Sequence, residues 1–150
     1  QGLRIKDLMD PTKKMSKSDD TGKRVIFLTD TPDEAAKKIM SATTDDKASV
    51  NYDPENQPGI SNLLQILALL RGQPLDTVEA EFKGRERYGD FKRVVADEIA
   101  AFLGEFQEKL AAVDDNQIYA AFDRSETVAN SQANATLLRT QQAVGLRPKA

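Results

Sequence analysis

Apolar residues change their spacing along this chain. Before residue 30 they come in short runs, Leu3-Arg4-Ile5 and Val25-Ile26-Phe27-Leu28, separated by a polar stretch with Pro11 and Gly22. Short apolar runs rich in β-branched and aromatic residues predict strands, and Val25–Leu28 is expected to be a buried one. After residue 30 the period becomes helical. Thr31-Pro32-Asp33-Glu34 predicts a helix start: a hydroxyl cap, proline at the first turn and a glutamate three residues on. That helix is expected to run to about Ala42 and to bury Ala35, Ala36, Ile39 and Met40. Residues 43–57 read as loop. Pro58-Gly59 leads into the most hydrophobic helix, about Ile60–Leu70, whose leucines and isoleucines cover most of its circumference and mark it as central. Gly72 stops it, and Pro74 opens a shorter helix ending near Gly84. From Asp90, apolar residues recur at Phe91, Val94, Val95, Ile99, Phe102, Leu103, Phe106 and Leu110, which predicts a long helix with its phenylalanines in the core. Two further helices are expected, Asn116–Phe122 and Ser125–Val144, with Gly145 as the last stop and Arg147 and Lys149 in a frayed tail. The pattern predicts a mainly α chain: residues 1–28 a remnant of a mixed α/β unit, residues 29–150 a bundle of five or six helices. Its short connections favour antiparallel neighbours.

The longest apolar run, Ile66–Leu70, is far too short to cross a bilayer, and no secretory signal is legible. The chain has 150 residues, no cysteine and no histidine. Disulfides, thiolate nucleophiles, histidine bases and histidine metal sites are thereby excluded within it. The net charge of −3 argues against a purely nucleic-acid-binding module. The charge is nonetheless uneven. Residues 1–24 carry seven basic and four acidic side chains, whereas residues 30–56 carry three and seven.

The basic end contains the most specific feature of the chain, Lys14-Met15-Ser16-Lys17-Ser18, with Lys13 adjoining. Lysine is a compact point charge for phosphate on a flexible stem. Two lysines and two hydroxyls on a short loop suit a polyphosphate, although a solvated lysine-rich loop is the bland reading. The five residues match the KMSKS signature, and the chain resembles a bacterial-type tryptophanyl-tRNA synthetase, a class I aminoacyl-tRNA synthetase. The resemblance extends through Asp10–Asp19, Ser41–Asp45, Tyr52-Asp53, Pro58–Leu64, Tyr88–Lys92 and Gly145-Leu146. The tyrosyl enzymes share the fold and a related loop, but these other segments are not associated with them. Asp20 stands where the loop more often has proline.

The resemblance implies a C-terminal fragment. Residues 1–28 would end a Rossmann-type catalytic domain and carry the KMSKS loop, and residues 29–150 would be the helical anticodon-binding domain. The HIGH-like motif and the tryptophan pocket lie outside the chain, so the fragment alone is expected to be inactive. The full-length enzyme would be a cytoplasmic homodimer that binds tryptophan, ATP with Mg²⁺, and tRNA(Trp). The resemblance makes Lys17 the first choice for stabilising the leaving pyrophosphate and Lys14 the second. Ser16 and Ser18 would position phosphate oxygens, Met15 would anchor the loop, and Ile5 would contact adenine through its backbone. The loop would open without ATP and close over it. In the helical part, Lys83, Arg85, Arg87, Lys92 and Arg93 form the densest basic cluster, with no anticodon-reading residue assigned. The alternative is a non-catalytic tRNA-binding or regulatory module descended from such an enzyme, which would have no reason to keep both lysines. A plain helical interaction domain leaves the loop unexplained.

Overall fold

The structure, a computed structural model, describes residues 4–18 and 22–147. It contains five helices among them: α1 (Pro32–Ser41), α2 (Pro58–Arg71), α3 (Leu75–Phe82), α4 (Tyr88–Ala111) and α5 (Asp115–Ala143). The chain divides into two compact units, Gln1–Leu110 and Ala111–Ala150.

In the first unit the helix boundaries follow local chemistry. Thr31 Oγ1 accepts the Glu34 N–H at 3.2 Å and Glu34 Oε2 accepts the Thr31 N–H at 2.9 Å, so two otherwise orphaned donors at the start of α1 are satisfied reciprocally. Gly72 ends α2 in the left-handed conformation (φ 61°) that a side-chain-bearing residue adopts only with strain. Helix α2 is the hub of the core. Ile60, Leu63, Leu64 and Leu67 are fully buried beside Ile39 of α1, Val78 and Phe82 of α3, and Phe91, Val95 and Leu103 of α4. Leu8, from the segment before the lysine loop, reaches the same core. Phe82 and Phe91 meet edge to face with centroids 4.9 Å apart. Arg71 ties three helices together, bonding Glu98 of α4 at 2.7 Å and Glu81 of α3 at 2.8 Å.

Several expectations are corrected. Val25–Leu28 forms no strand, and only Val25 is buried. Among the described residues this segment lies beside no strand it could pair with, and side chains take over its backbone groups. Phe27 N–H donates to Asp30 Oδ2, Lys38 Nζ donates to the Val25 carbonyl, and Gln107 Nε2 donates to the carbonyls of Leu28 and Asp30. Of Leu3–Ile5, Leu3 lies outside the described residues, and the neighbouring pairing is a single antiparallel bridge, Lys6 with Lys14. Among the described residues there is no sheet. Met40 and Phe102 are exposed (39% and 43%), and Phe106 is only half-buried beside Phe102. The apolar spacing of α4 outlasts the core it packs on.

In the second unit, the two expected helices are one. Helix α5 runs unbroken through Asp123 and Arg124, because nothing between Asp115 and Ala143 is proline or glycine. Asp114 caps it, accepting the Asn116 N–H at 2.9 Å, and Gly145 stops it at φ 78°. It buries none of its residues, so Ile118, Tyr119, Phe122, Leu137 and others stand exposed.

The loop 43–57 is held by a polar cluster at the start of α4. The Tyr88 hydroxyl donates to Asp45 Oδ1 at 2.6 Å, and Gln57 Nε2 lies within 3.1 Å of Asp45 Oδ1, the Tyr88 oxygen and the Ser49 carbonyl. Asp45 Oδ2 is buried without a hydrogen-bond partner in the protein. Burial pushes the Asp45 carboxyl up, but bonds from Tyr88, the Lys47 N–H and Gln57 outweigh it and hold the group below its ordinary 3.8. Such a depressed group stabilises the fold fully above its unfolded value, and that contribution is lost as pH falls through the lower folded value. Tyr88→Phe is therefore expected to lower stability by about 1–3 kcal/mol at neutral pH, because it strips a hydrogen bond from a part-buried carboxylate. The loss should shrink on acidification below about pH 4, where Asp45 protonates in the unfolded chain first. Denaturant titrations of both proteins across that range check it.

Candidate functional site

The lysine motif sits on a two-segment hairpin. Met15 N–H donates to the Ile5 carbonyl and Asp7 N–H to the Lys13 carbonyl, both at 3.0 Å, with Lys6 and Lys14 facing each other between them. The alternation of an extended backbone sends Ile5 and Met15 to one face and Lys6 and Lys14 to the other. The first pair packs against the core and lines an apolar groove of about 350 Å³ with Ile26, Ile66, Leu69 and Leu103. The second pair opposes two like charges across the bridge, which is unfavourable until an anion lies near them.

The base of the loop is clamped. Asp7 is 7% exposed, and its Oδ1 accepts the N–H groups of Met9 (2.8 Å) and Asp10 (2.9 Å), which turns the chain toward the motif. Its Oδ2 pairs with Arg24 at 3.4 Å, and the Leu8 N–H donates to the Arg24 carbonyl at 3.1 Å, so the two ends of the loop meet. Thr43, at the end of α1, donates its N–H to the Leu8 carbonyl and its hydroxyl to the Met9 carbonyl, both at 2.8 Å. Gly59 permits this approach, because a Cβ there would run into the Thr43 carbonyl oxygen.

The three lysines of the loop differ in circumstance. Lys13 pairs with Asp10 at 2.7 Å, and that bond, with one from Thr12, holds the Asp10 carboxyl down at about 2. Lys14 and Lys17 are exposed, and neither has an acidic partner among the described residues. Ser16 and Ser18 are exposed beside them, joined by a long 3.5 Å contact from the Ser18 N–H to Ser16 Oγ. Met15 is half-buried and packs against the core. The Ile5 carbonyl is committed to Met15, which limits any contact it makes elsewhere. Asp20, where the loop more often has proline, lies outside the described residues. Sequence reasoning did not single out Asp7, Arg24 or Thr43. An aspartate two residues before a polar turn was the legible signal for the first, whereas the other two act across distances in the chain that no local pattern reveals.

The basic cluster is not one surface. Lys92 reaches inward and donates to the Ala42 carbonyl at 2.7 Å, closing the end of α1, and burial pushes its ammonium down from the ordinary value. Arg85 lies over the Phe82 ring at 5.0 Å. Arg87 pairs loosely with Asp90, and Lys83 and Arg93 are exposed.

Replacing Asp7 by alanine is expected to lower stability by about 1–3 kcal/mol, because two backbone donors lose their acceptor. The amides of Met9 and Asp10 should exchange with solvent markedly faster, while those of α2 and α4 hold. Amide hydrogen exchange measured residue by residue on both proteins decides it.

Residues 3–104 match the family model of tRNA synthetases class I (W and Y). The chain is 41% identical over 150 residues to a tryptophan–tRNA ligase of Listeria monocytogenes serotype 4b (strain F2365), covering 99% of this chain and 45% of that protein. It is 40% identical over 146 residues to the tryptophan–tRNA ligase of Malacoplasma penetrans (strain HF-2), covering 97% of this chain and 43% of that protein. Among solved structures, the tryptophanyl-tRNA synthetase from Mycoplasma pneumoniae superposes with a TM-score of 0.83 at 32% identity, covering 96% of this chain and 44% of that one. The chain thus spans under half the length of the curated relatives it matches. With the family model matched over two thirds of its residues and relatives along nearly its whole length, the chain belongs to the class I tRNA synthetase family of the tryptophan and tyrosine enzymes.

Proposed function

We propose that this chain supplies the phosphate-handling loop and the helical portion of a tryptophan–tRNA ligase. The observation that carries the reading is the pair of exposed lysines, Lys14 and Lys17, without an acidic partner among the described residues, on a hairpin whose base is fixed. In the reaction the tryptophan carboxylate attacks the α-phosphorus of ATP. Pyrophosphate leaves, and tryptophanyl-adenylate forms. A ribose hydroxyl at the end of tRNA(Trp) then attacks the activated carbonyl, and AMP leaves.

The first step needs no protein nucleophile and little proton transfer. It needs fixed positive charge where negative charge develops. Lys17 stabilises the departing pyrophosphate and Lys14 assists. Ser16 and Ser18 orient phosphate oxygens through hydroxyl and N–H groups, Met15 holds the loop on the apolar groove, and the Ile5 backbone borders the adenine. Among the described residues no cluster of three acidic, histidine or cysteine groups could hold a metal ion. A Mg²⁺ ion suits the site as an ion carried by the ATP phosphates, where it would neutralise their charge.

Residues 29–150 form the anticodon-binding part in this reading, with tRNA(Trp) as partner. Its candidate phosphate contacts are the outward cations Lys83, Arg87 and Arg93, with Lys92 withdrawn to α1. The full-length protein is proposed to be a cytoplasmic homodimer. No described helix is long and apolar enough to cross a membrane.

Amino-acid-dependent ATP–pyrophosphate exchange tests the reading. The full-length protein is expected to exchange with tryptophan, and the 150-residue chain alone with no amino acid. Lys17→Ala in the full-length protein should lower the exchange rate by about 10²–10³-fold while weakening ATP binding far less. Equal loss of both, or an unchanged rate, would remove Lys17 from this role.

A further inference from the structure

Asn62 of α2 is 3% exposed, and both polar atoms of its side chain go to a single residue 56 positions earlier. Its Oδ1 accepts the Lys6 N–H at 2.8 Å, and its Nδ2 donates to the Lys6 carbonyl at 3.0 Å. That is the pair of bonds a neighbouring strand would offer. In an extended segment, consecutive residues turn their N–H and C=O groups to opposite edges. Residues 5 and 7 bond toward the motif, to Met15 and Lys13, whereas Lys6 turns its groups the other way. The segment therefore has both edges paired, one by the lysine loop and one by an amide side chain standing in for a strand.

The geometry points to Asn62 as a positioning residue for the lysine loop. By holding the Lys6 backbone against α2, the most buried helix, it sets where the hairpin rides and hence where Lys14 and Lys17 are presented. Few side chains could replace it. Aspartate keeps the acceptor and, when ionised, lacks the donor. Alanine and leucine offer neither, and would leave two part-buried backbone groups unpaired. Glutamine is one methylene too long for the same seat. The second support of the hairpin, Thr43, acts at Leu8 and Met9 on the far side of the Asp7 turn and leaves Lys6 untouched. This inference rests on the loop's proposed role with phosphate.

Two variants and two readouts test it. In the 150-residue chain, Asn62→Ala should make the Met15 and Asp7 amides exchange about tenfold faster or more, with the Val95 and Leu103 amides of α4 unchanged. In the full-length protein, the pyrophosphate-exchange rate per folded molecule should fall by about 10- to 100-fold, the scale of a misplaced catalytic group. Asn62→Asp should do the same at about pH 8 and recover toward the unsubstituted rate as the pH is lowered to about 6, because burial raises a carboxyl's pKa and the protonated acid again carries one donor and one acceptor. Unchanged Met15 protection in Asn62→Ala, equal loss of protection throughout α4, or an Asn62→Asp deficit that ignores pH would each overturn the proposal. If the unsubstituted full-length protein exchanges with no amino acid, the phosphate reading fails, while the amide pattern still decides whether Asn62 holds the hairpin.

Discussion

An extended backbone without a sheet is the constraint around which the lysine-loop end of this chain is organised. Residues 5–8 and 13–15 share one bridge and two ladder bonds, far too few to stand alone in water. Every other backbone group there that nears the core needs a partner, because a buried unpaired N–H or carbonyl costs about 1–3 kcal/mol. Side chains, with backbone groups of Thr43 and Arg24, provide them. Asn62 takes both groups of Lys6, Asp7 takes the N–H groups of Met9 and Asp10, and Thr43 takes the carbonyls of Leu8 and Met9. The segment 25–30 is treated the same way by Asp30, Lys38 and Gln107. The helices thus serve this end of the chain as a sheet would.

The same economy governs the helical core. Helix α2 is buried nearly all round, and the elements around it are joined by a few polar ties between distant residues: Arg71 to Glu81 and Glu98, Tyr88 to Asp45, Lys92 to the end of α1. Through Asp45 and Thr43 the 43–57 connection touches both the start of α4 and the base of the lysine loop. The loop is carried on the packed core, with Leu8 and Met15 as its apolar feet.

Charge is then left where chemistry can use it. The clamp consumes Asp7, Asp10, Lys13 and Arg24 in local pairs, and Lys14 and Lys17 remain without an acid among the described residues. In the proposed reading, these are the two cations that a developing phosphate charge would meet.

The sequence by itself determined the helices with strong punctuation and the motif. Thr31 to Glu34, the α2 apolar run and Gly72 are local signals, and local chemistry sufficed to place them. Lys14 and Lys17 were legible because a motif is a statement about adjacent residues. What only the tertiary structure decided depended on partners far away in the chain. Val25–Leu28 has strand composition, but a strand exists only where another pairs with it, and none does among the described residues. A new helix was expected to begin at Ser125, but no breaker stands before it and α5 continues. Phe102 carries the right period on the wrong side of a finite core. Asn62 looked like one more polar residue in a hydrophobic helix. Its meaning lies 56 residues away, at Lys6, because hydrogen bonds are satisfied in space and not along the sequence.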